Sequence, residues 1–214
     1  VVTPASTHFE IAKLMLESGK HVLVEKPLTM SYDEAVELWR LSKELNKILM
    51  VGHVYCYNPA VTYIKGMLDR KELGRLYYGV GLRMGLGPIR DDANCLWDLA
   101  PHELSMLDYL LSKMPTCVSA QASSFLRRGG SVYDYATAHI TYDDEFSFTL
   151  TVSWYSPEKI RLLNLMGSGK MVKFDDTNKS NPLTIYEKGA SLELLESQAD
   201  YSAHQVKIRE GNTI

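Results

Sequence analysis

An α/β unit built on a parallel sheet, followed by an α+β domain dominated by antiparallel sheet, is the architecture this sequence predicts. Three observations carry that expectation. Over residues 1–55, short apolar runs alternate with helical patterns, as βαβ units do. Further along, apolar residues recur with period two, as in a sheet with one buried face. The third is His21-Val22-Leu23-Val24-Glu25-Lys26-Pro27, a β-branched run that ends abruptly in an acid, a base and an imino acid. Parallel strands are buried on both faces and read as continuous apolar runs, and their carboxyl ends face the crevice where ligands bind.

Val1-Val2 reads as the tail of a buried strand, and with no initiator methionine an upstream segment is expected. Ser6 or Thr7 can cap a helix whose positions Ile11, Leu14, Met15 and Ser18 follow helical spacing, with Gly19 as its stop. A strand over 22–24 follows. Ser31-Tyr32-Asp33-Glu34 has the spacing of a capping box, and Ala35, Leu38, Leu41 and Leu45 continue that helix. Residues 48–51 form the next strand, ending in Gly52-His53, with right-handed crossovers between strands. Asn58 is the predicted N-cap, with Pro59 in the first helical position, of a helix to about Arg70. Val61, Ile64 and Leu68 face inward on it. The spacing then predicts a strand over 75–84, a loop over 85–93 and a helix over 98–111. Phe146, Phe148, Leu150, Val152 and Trp154 alternate with Glu145, Ser147, Thr149, Thr151 and Ser153. Residues 142–145 and 167–169 supply hairpin turns.

The 214 residues are 45% apolar and 23% charged with a net charge of −3, which is ordinary globular composition with room for a sizeable core. That balance, with no basic run, argues against nucleic acid or an anionic membrane surface as partner. The apolar runs are far too short to span a membrane. Cys56, Cys95 and Cys117 are odd in number and lack CxxC spacing, and read as reduced thiols of a cytoplasmic protein.

Lys26, at the lip of a predicted strand, is placed for chemistry or ligand contact; a solvated Glu25–Lys26 pair is the competing reading. Asp98-Leu99-Ala100-Pro101-His102 is the second feature. Its i, i+4 spacing puts Asp98 and His102 on one helical face, continued by Ser105 and Tyr109. Leu104, Leu107 and Leu111 form the opposite, core-facing stripe. Asp98 is a good N-cap, and Pro101 then falls in the first turn, where proline is tolerated. A histidine near a helix N-terminus is biased to its neutral form, and an adjacent carboxylate can fix its tautomer. An N-cap aspartate with a surface histidine is the competing reading. No spacing among His53, Cys56, Asp98 and His102 matches a recognised metal site, so no metal is expected.

Together these stretches resemble the glucose–fructose oxidoreductase, inositol dehydrogenase and rhizopine-catabolism (Gfo/Idh/MocA) family of NAD(P)-dependent oxidoreductases. Thr3-Pro4 with His8, and Gly19-Lys20-His21 through Pro27, match the second half of the family's Rossmann domain. Gly52-His53 with Tyr57-Asn58-Pro59-Ala60 matches its domain junction, and Trp97 to Glu103 matches its catalytic helix. The resemblance implies a partial Rossmann domain over 1–55 and a substrate and oligomerisation domain over 56–214. It implies that Thr3, Pro4, His8, Glu25, Lys26 and Pro27 border NAD or NADP, and that the bond before Pro27 is cis, as it often is in the family. Lys26, Asp98 and His102 would be catalytic, and Tyr57 and Asn58 would approach substrate. Arg83, Arg90 and Asn94 are candidate substrate contacts, with a solvated surface as the competing reading. Cys56 departs from the family, many members of which carry a basic residue there.

The implied reaction is hydride transfer between NAD(P) and a CH–OH group of a sugar, nucleotide sugar or polyol. His102 would act as base, Lys26 would steady the developing alkoxide, and Asp98 would orient the histidine. A non-catalytic NAD(P)- or sugar-sensing regulator of the same fold is the alternative. A homo-oligomer through the open sheet face is also implied, with Thr149, Thr151 and Ser153 on that face. The fingerprint G-x-G-x-x-G is absent from the right context, because Gly167-Ser168-Gly169 joins two predicted strands. The chain therefore reads as a piece truncated at both ends, its pyrophosphate site upstream, and inactive alone.

Overall fold

The computed structural model describes residues 1–126, 132–143, 145–194, 204–209 and 211–214. Its first unit runs α1 (His8–Glu17), β1 (Val22–Val24), α2 (Tyr32–Glu44) and β2 (Leu49–Val51), after a 3-10 turn at Ala5–Thr7. The two strands pair in parallel with Val24 opposite Val51, so both deliver the chain to the same edge. Gly19, at φ +76°, closes α1 through bonds from Gly19 N to Leu16 O and Lys20 N to Met15 O.

Three local expectations change here. The buried face of α1 is His8, Ala12 and Leu16, one step round from the predicted stripe, and Leu14 is exposed. The small Ala12 packs inward while the bulkier Leu14 stays outside. Neither predicted serine or threonine cap closes: Thr7 Oγ1 donates to Thr3 and Pro4, and Ser31 makes no side-chain cap bond. Leu23 is 57% exposed between a buried Val22 and Val24, so these residues cover one face of β1.

A 3-10 turn (Val54–Tyr57) leads into α3 (Pro59–Asp69), β3 (Leu76–Met84) and α4 (Cys95–Leu111). Then follow β4 (Cys117–Ser123), β5 (Tyr135–Thr141), β6 (Ser147–Ser153), β7 (Ile160–Gly167), β8 (Met171–Asp175) and β9 (Leu183–Tyr186). These strands make one seven-stranded sheet in the order β4-β5-β6-β3-β7-β8-β9. Every pairing is antiparallel except β3 with β6, which is parallel. A separate antiparallel pair joins β10 (Gly189–Leu194) to β11 (His204–Arg209). The turn at 167–169 joins β7 to β8 as the sequence predicts; in the turn between β5 and β6, Asp144 lies outside the described residues.

The main core lies between this sheet and α3 with α4. Phe146, Phe148, Leu150, Val152 and Trp154 are all buried, as their alternation requires. Each such side chain contributes roughly 1.5–3 kcal/mol relative to an exposed one. On α3, Met67 rather than Leu68 completes the row begun by Val61 and Ile64. On α4 the buried row is Cys95, Ala100, Glu103, Met106, Leu107 and Leu110, while the predicted core residue Leu104 is 43% exposed. The helix is turned so that an acid points inward, toward a base on β3. The opposite sheet face is less polar than Thr149 and Thr151 suggest, for Val80, Leu82, Ile160, Leu162 and Met166 form a half-buried apolar stripe along β3 and β7. Among the described residues no helix is long and apolar enough to cross a membrane.

Glycines let β3 accept that core. A Cβ on Gly81 would stand 2.7 and 2.9 Å from ring atoms of Phe148, which is wholly buried and cannot give way. Gly81→Ala should therefore lower stability by about 1–3 kcal/mol, read as a reduced urea midpoint at unchanged slope. Adding Phe148→Leu should recover part of that loss; an unchanged midpoint in the single variant would show that the sheet relaxes freely there.

Candidate active site

Beyond the carboxyl ends of β1 and β2 the chain builds a lip. Glu25 packs its carboxylate against Gly52, where a Cβ would meet it at 3.2 Å. The Lys26–Pro27 bond is cis. Beneath it lies His8, 1% exposed, with Nδ1 2.7 Å from Pro27 O and Nε2 2.9 Å from Thr3 O. Carbonyl oxygens only accept, so the ring nitrogen that carries hydrogen is the donor in either contact. His8, expected to border the cofactor, braces the Thr3-Pro4 and Lys26-Pro27 segments from inside.

From this lip Lys26 reaches α4. Its Nζ donates to Asp98 O at 2.7 Å and to Asp98 Oδ1 at 3.1 Å, with both side chains under one-fifth exposed. The other carboxylate oxygen, Oδ2, accepts from Trp154 Nε1 at 3.0 Å. Arg90 Nη1 stands 3.6 Å from Oδ1, its guanidinium held mainly by Asp92. Asp98 therefore meets a lysine and an indole, and the predicted bond to His102 is replaced by these two.

The helix begins earlier than its pattern suggests. Asn94, not Asp98, is the N-cap, accepting from Trp97 N at 3.0 Å. Pro101 consequently lies in the second turn, where it has no N–H to offer the carbonyl four residues before it. His102 sits deeper in the helix as well, so the helix terminus is not what keeps it neutral. Burial is the first cause, followed by the charges of Arg83, Lys26, Arg161 and His53, and together they push its pKa down to about 3. Its Nδ1 is buried without a hydrogen-bond partner. Its ring meets Tyr55 edge-on, centroids 5.2 Å apart.

Behind His102 stands a buried ionic group. Arg83 Nε donates to both Glu103 oxygens, at 2.7 and 2.8 Å, with side chains 5% and 1% exposed. Burial raises the Glu103 carboxyl to about 6 against the pull of Arg83. The Arg83 guanidinium lies over the Tyr55 ring at 4.8 Å. Tyr55 OH donates to Asp176 Oδ2 at 2.7 Å, and Arg161 joins the same carboxylate at 3.1 Å.

The structure thus brings Lys26 and Asp98 into contact, with His102 one turn further along α4 and Arg90 at the edge of the pair. Asn58 and Asn94 spend their side chains on helix caps, Asn58 accepting from Ala60 N at 2.9 Å. Tyr57 is 70% exposed, and Arg83 is a buried ion-pair partner rather than a substrate contact or a solvated surface residue. Glu103, Tyr55, Trp154, Arg161 and Asp176 escaped the sequence reading. One of these was readable: Glu103 shares the helical row of Met106, Leu107 and Leu110, as Arg83 shares the core parity of Gly79 and Gly81. Two cavities lie along the first turns of α4, and Asp98 lines the smaller. One, of about 320 Å³, is lined by Arg83, Trp154, Lys159 and Arg161; the other, of about 650 Å³, lies between Pro27, His53, Trp97 and Pro101.

Known proteins resemble this chain in sequence and fold. UDP-N-acetylglucosamine 3-dehydrogenase of Acidithiobacillus ferrooxidans is 29% identical over 191 residues, 89% of this chain and 58% of that protein. The scyllo-inositol 2-dehydrogenase (NAD(+)) of Bacillus subtilis is 29% identical over 207 residues, 91% of this chain and 60% of its own length. The chain therefore spans somewhat more than half the length of these relatives. Among solved structures, the same Acidithiobacillus enzyme superposes with a TM-score of 0.75 at 28% identity, covering 86% of this chain and 59% of that one. A putative oxidoreductase of Magnetospirillum magnetotacticum gives 0.78 at 26% identity, covering 94% and 64%. Residues 1–53 match the NAD-binding Rossmann fold of the oxidoreductase family, and residues 61–173 match the GFO/IDH/MocA C-terminal domain. The chain belongs to the GFO/IDH/MocA oxidoreductase family.

Proposed function

We propose that this chain forms the catalytic part of an NAD(P)-dependent dehydrogenase acting on a CH–OH group of a sugar, nucleotide sugar or polyol. One observation carries the reading: a lysine at the lip of a parallel strand is bonded to the acid of a DxxxH helix that the sequence reaches only through the second unit. Relatives named for UDP-N-acetylglucosamine and scyllo-inositol support the substrate range. We assign residues 1–55 to dinucleotide binding and 56–214 to substrate binding and assembly. The apolar stripe of β3 and β7 supports a homo-oligomer through the open sheet face, and the free cysteines support a cytoplasmic setting.

The lip fits a nicotinamide dinucleotide. Both parallel strands end at one edge, and the absence of a side chain at Gly52 leaves room there for the Glu25 carboxylate. Thr3, Pro4, Glu25, Lys26 and Pro27 would border it, and when bound it supplies the hydride exchange. Lys26 holds a positive charge where an alkoxide develops, and Asp98 with Trp154 fixes the height of that charge over α4. His102, kept neutral by burial and by neighbouring positive charge, would take the proton of the substrate hydroxyl as negative charge grows beside Lys26.

Expressed from its complete gene and assayed against sugars, nucleotide sugars and inositols, the protein should reduce NAD(P). Lys26→Ala and His102→Ala should each lower kcat roughly 100- to 10,000-fold with little change in melting temperature. Normal turnover in both variants would sink the role assignment, and tight NAD(H) binding without turnover of any polyol would favour the sensor. The His102 ring gives a second check. Its folded pKa, about 3, lies below its ordinary 6.5, so unfolding takes up a proton between those values. The stability its neutral form contributes is whole above pH 6.5 and is lost as pH falls toward 3. His102→Gln should therefore flatten the fall of melting temperature on acidification; an equally steep fall would refute a buried neutral ring.

A further inference from the structure

The group of charges behind His102 is more elaborate than packing requires. A buried ion pair contributes little net stability compared with apolar residues of the same volume. Here Arg83 satisfies Glu103 and also covers Tyr55, whose hydroxyl is tied to Asp176 and approached by Arg161 at 3.5 Å. Tyr55 is therefore gripped on its face and at its tip by groups from β3, β7 and the turn after β8. Its remaining edge meets the imidazole of His102 at 5.2 Å with the planes 78° apart. No hydrogen bond reaches the buried Nδ1 of that imidazole, so ring contact does the work that a carboxylate does for many catalytic histidines.

We propose that Tyr55, clamped by Arg83 and Asp176, is the positioning residue that fixes the His102 ring toward the Lys26–Asp98 cleft. This rests on the reading of His102 as the proton acceptor. Tyr55 touches neither lip nor cleft lysine; it acts through His102, and its hydroxyl serves to hold its own ring. The charged and titratable groups around the imidazole are Arg83 and Glu103, Lys26 and Asp98, Arg161 with Asp176 beyond Tyr55, and His53, whose own pKa burial lowers. Loosening the ring admits water and relieves the burial that keeps it neutral.

Three variants test this in the complete protein: Tyr55→Phe, Tyr55→Leu and Asp176→Asn. Tyr55→Leu should lower kcat about 30-fold while KM for both substrates stays within about twofold, since a slightly misplaced base costs rate and not binding. Tyr55→Phe, which keeps the ring, should recover most of that loss, and Asp176→Asn should fall between. Histidine-selective NMR supplies a readout independent of turnover: the His102 resonance should begin to titrate above pH 5 in Tyr55→Leu and stay flat in Tyr55→Phe. Should Tyr55→Leu fail to fold, the order wild type, Tyr55→Phe, Asp176→Asn in kcat and in the His102 titration still decides. Unchanged kcat together with an unchanged His102 resonance would overturn the proposal. If His102→Ala itself turns over normally while Tyr55→Leu still releases the ring, positioning stands and the base assignment falls.

Discussion

The Arg83–Glu103 pair is the constraint around which the rest of the second unit is arranged. It joins the central strand of the sheet to the helix that carries Asp98 and His102, in a place where neither charge can reach water. An unpaired charge there would cost several kcal/mol, so the helix has one rotational setting on the sheet that satisfies both partners. That setting puts Leu104 outside and Glu103 inside. It then presents Asp98, five residues before Glu103, to Lys26. The site geometry is in this sense a by-product of satisfying a buried acid.

The same logic explains the lip. His8 is buried and bonds two backbone carbonyls, so the Thr3-Pro4 and Lys26-Pro27 segments are tied to each other through a ring beneath them. Lys26 leaves that braced turn and ends on a backbone carbonyl and a carboxylate of α4. One rigid support lies behind each end of the Lys26–Asp98 contact, which spans the two units.

Much of this architecture is legible in the sequence, because period and chain punctuation report it directly. The run from Phe146 to Trp154 alternates without exception, and Gly19 and the Asn58-Pro59 step stop and start helices by backbone chemistry that needs no tertiary context. Lys26 and the Asp98–His102 spacing were visible for the same reason. What stayed hidden depended on partners distant in sequence. Asp98 looked like a helix cap until Asn94 took that place, and Arg83 looked like a surface residue because a charge on a strand is usually solvated. The stripe of α4 was misjudged by one position, since apolar spacing alone cannot foresee that a glutamate will displace a leucine from the core.

The parallel pairing of β3 with β6 has a consequence for how the molecule assembles. Leu82 of the central strand is bonded on one side to Thr151 and on the other to Leu162, both remote along the chain. No hairpin can nucleate that centre, and loop-closure entropy must be met before either neighbour docks. Because α4 lies in the stretch that crosses from β3 to β6, the helix is enclosed by the very closure that completes the sheet. The sheet and the placement of Asp98 and His102 therefore form in one cooperative step, to which the first unit then adds Lys26.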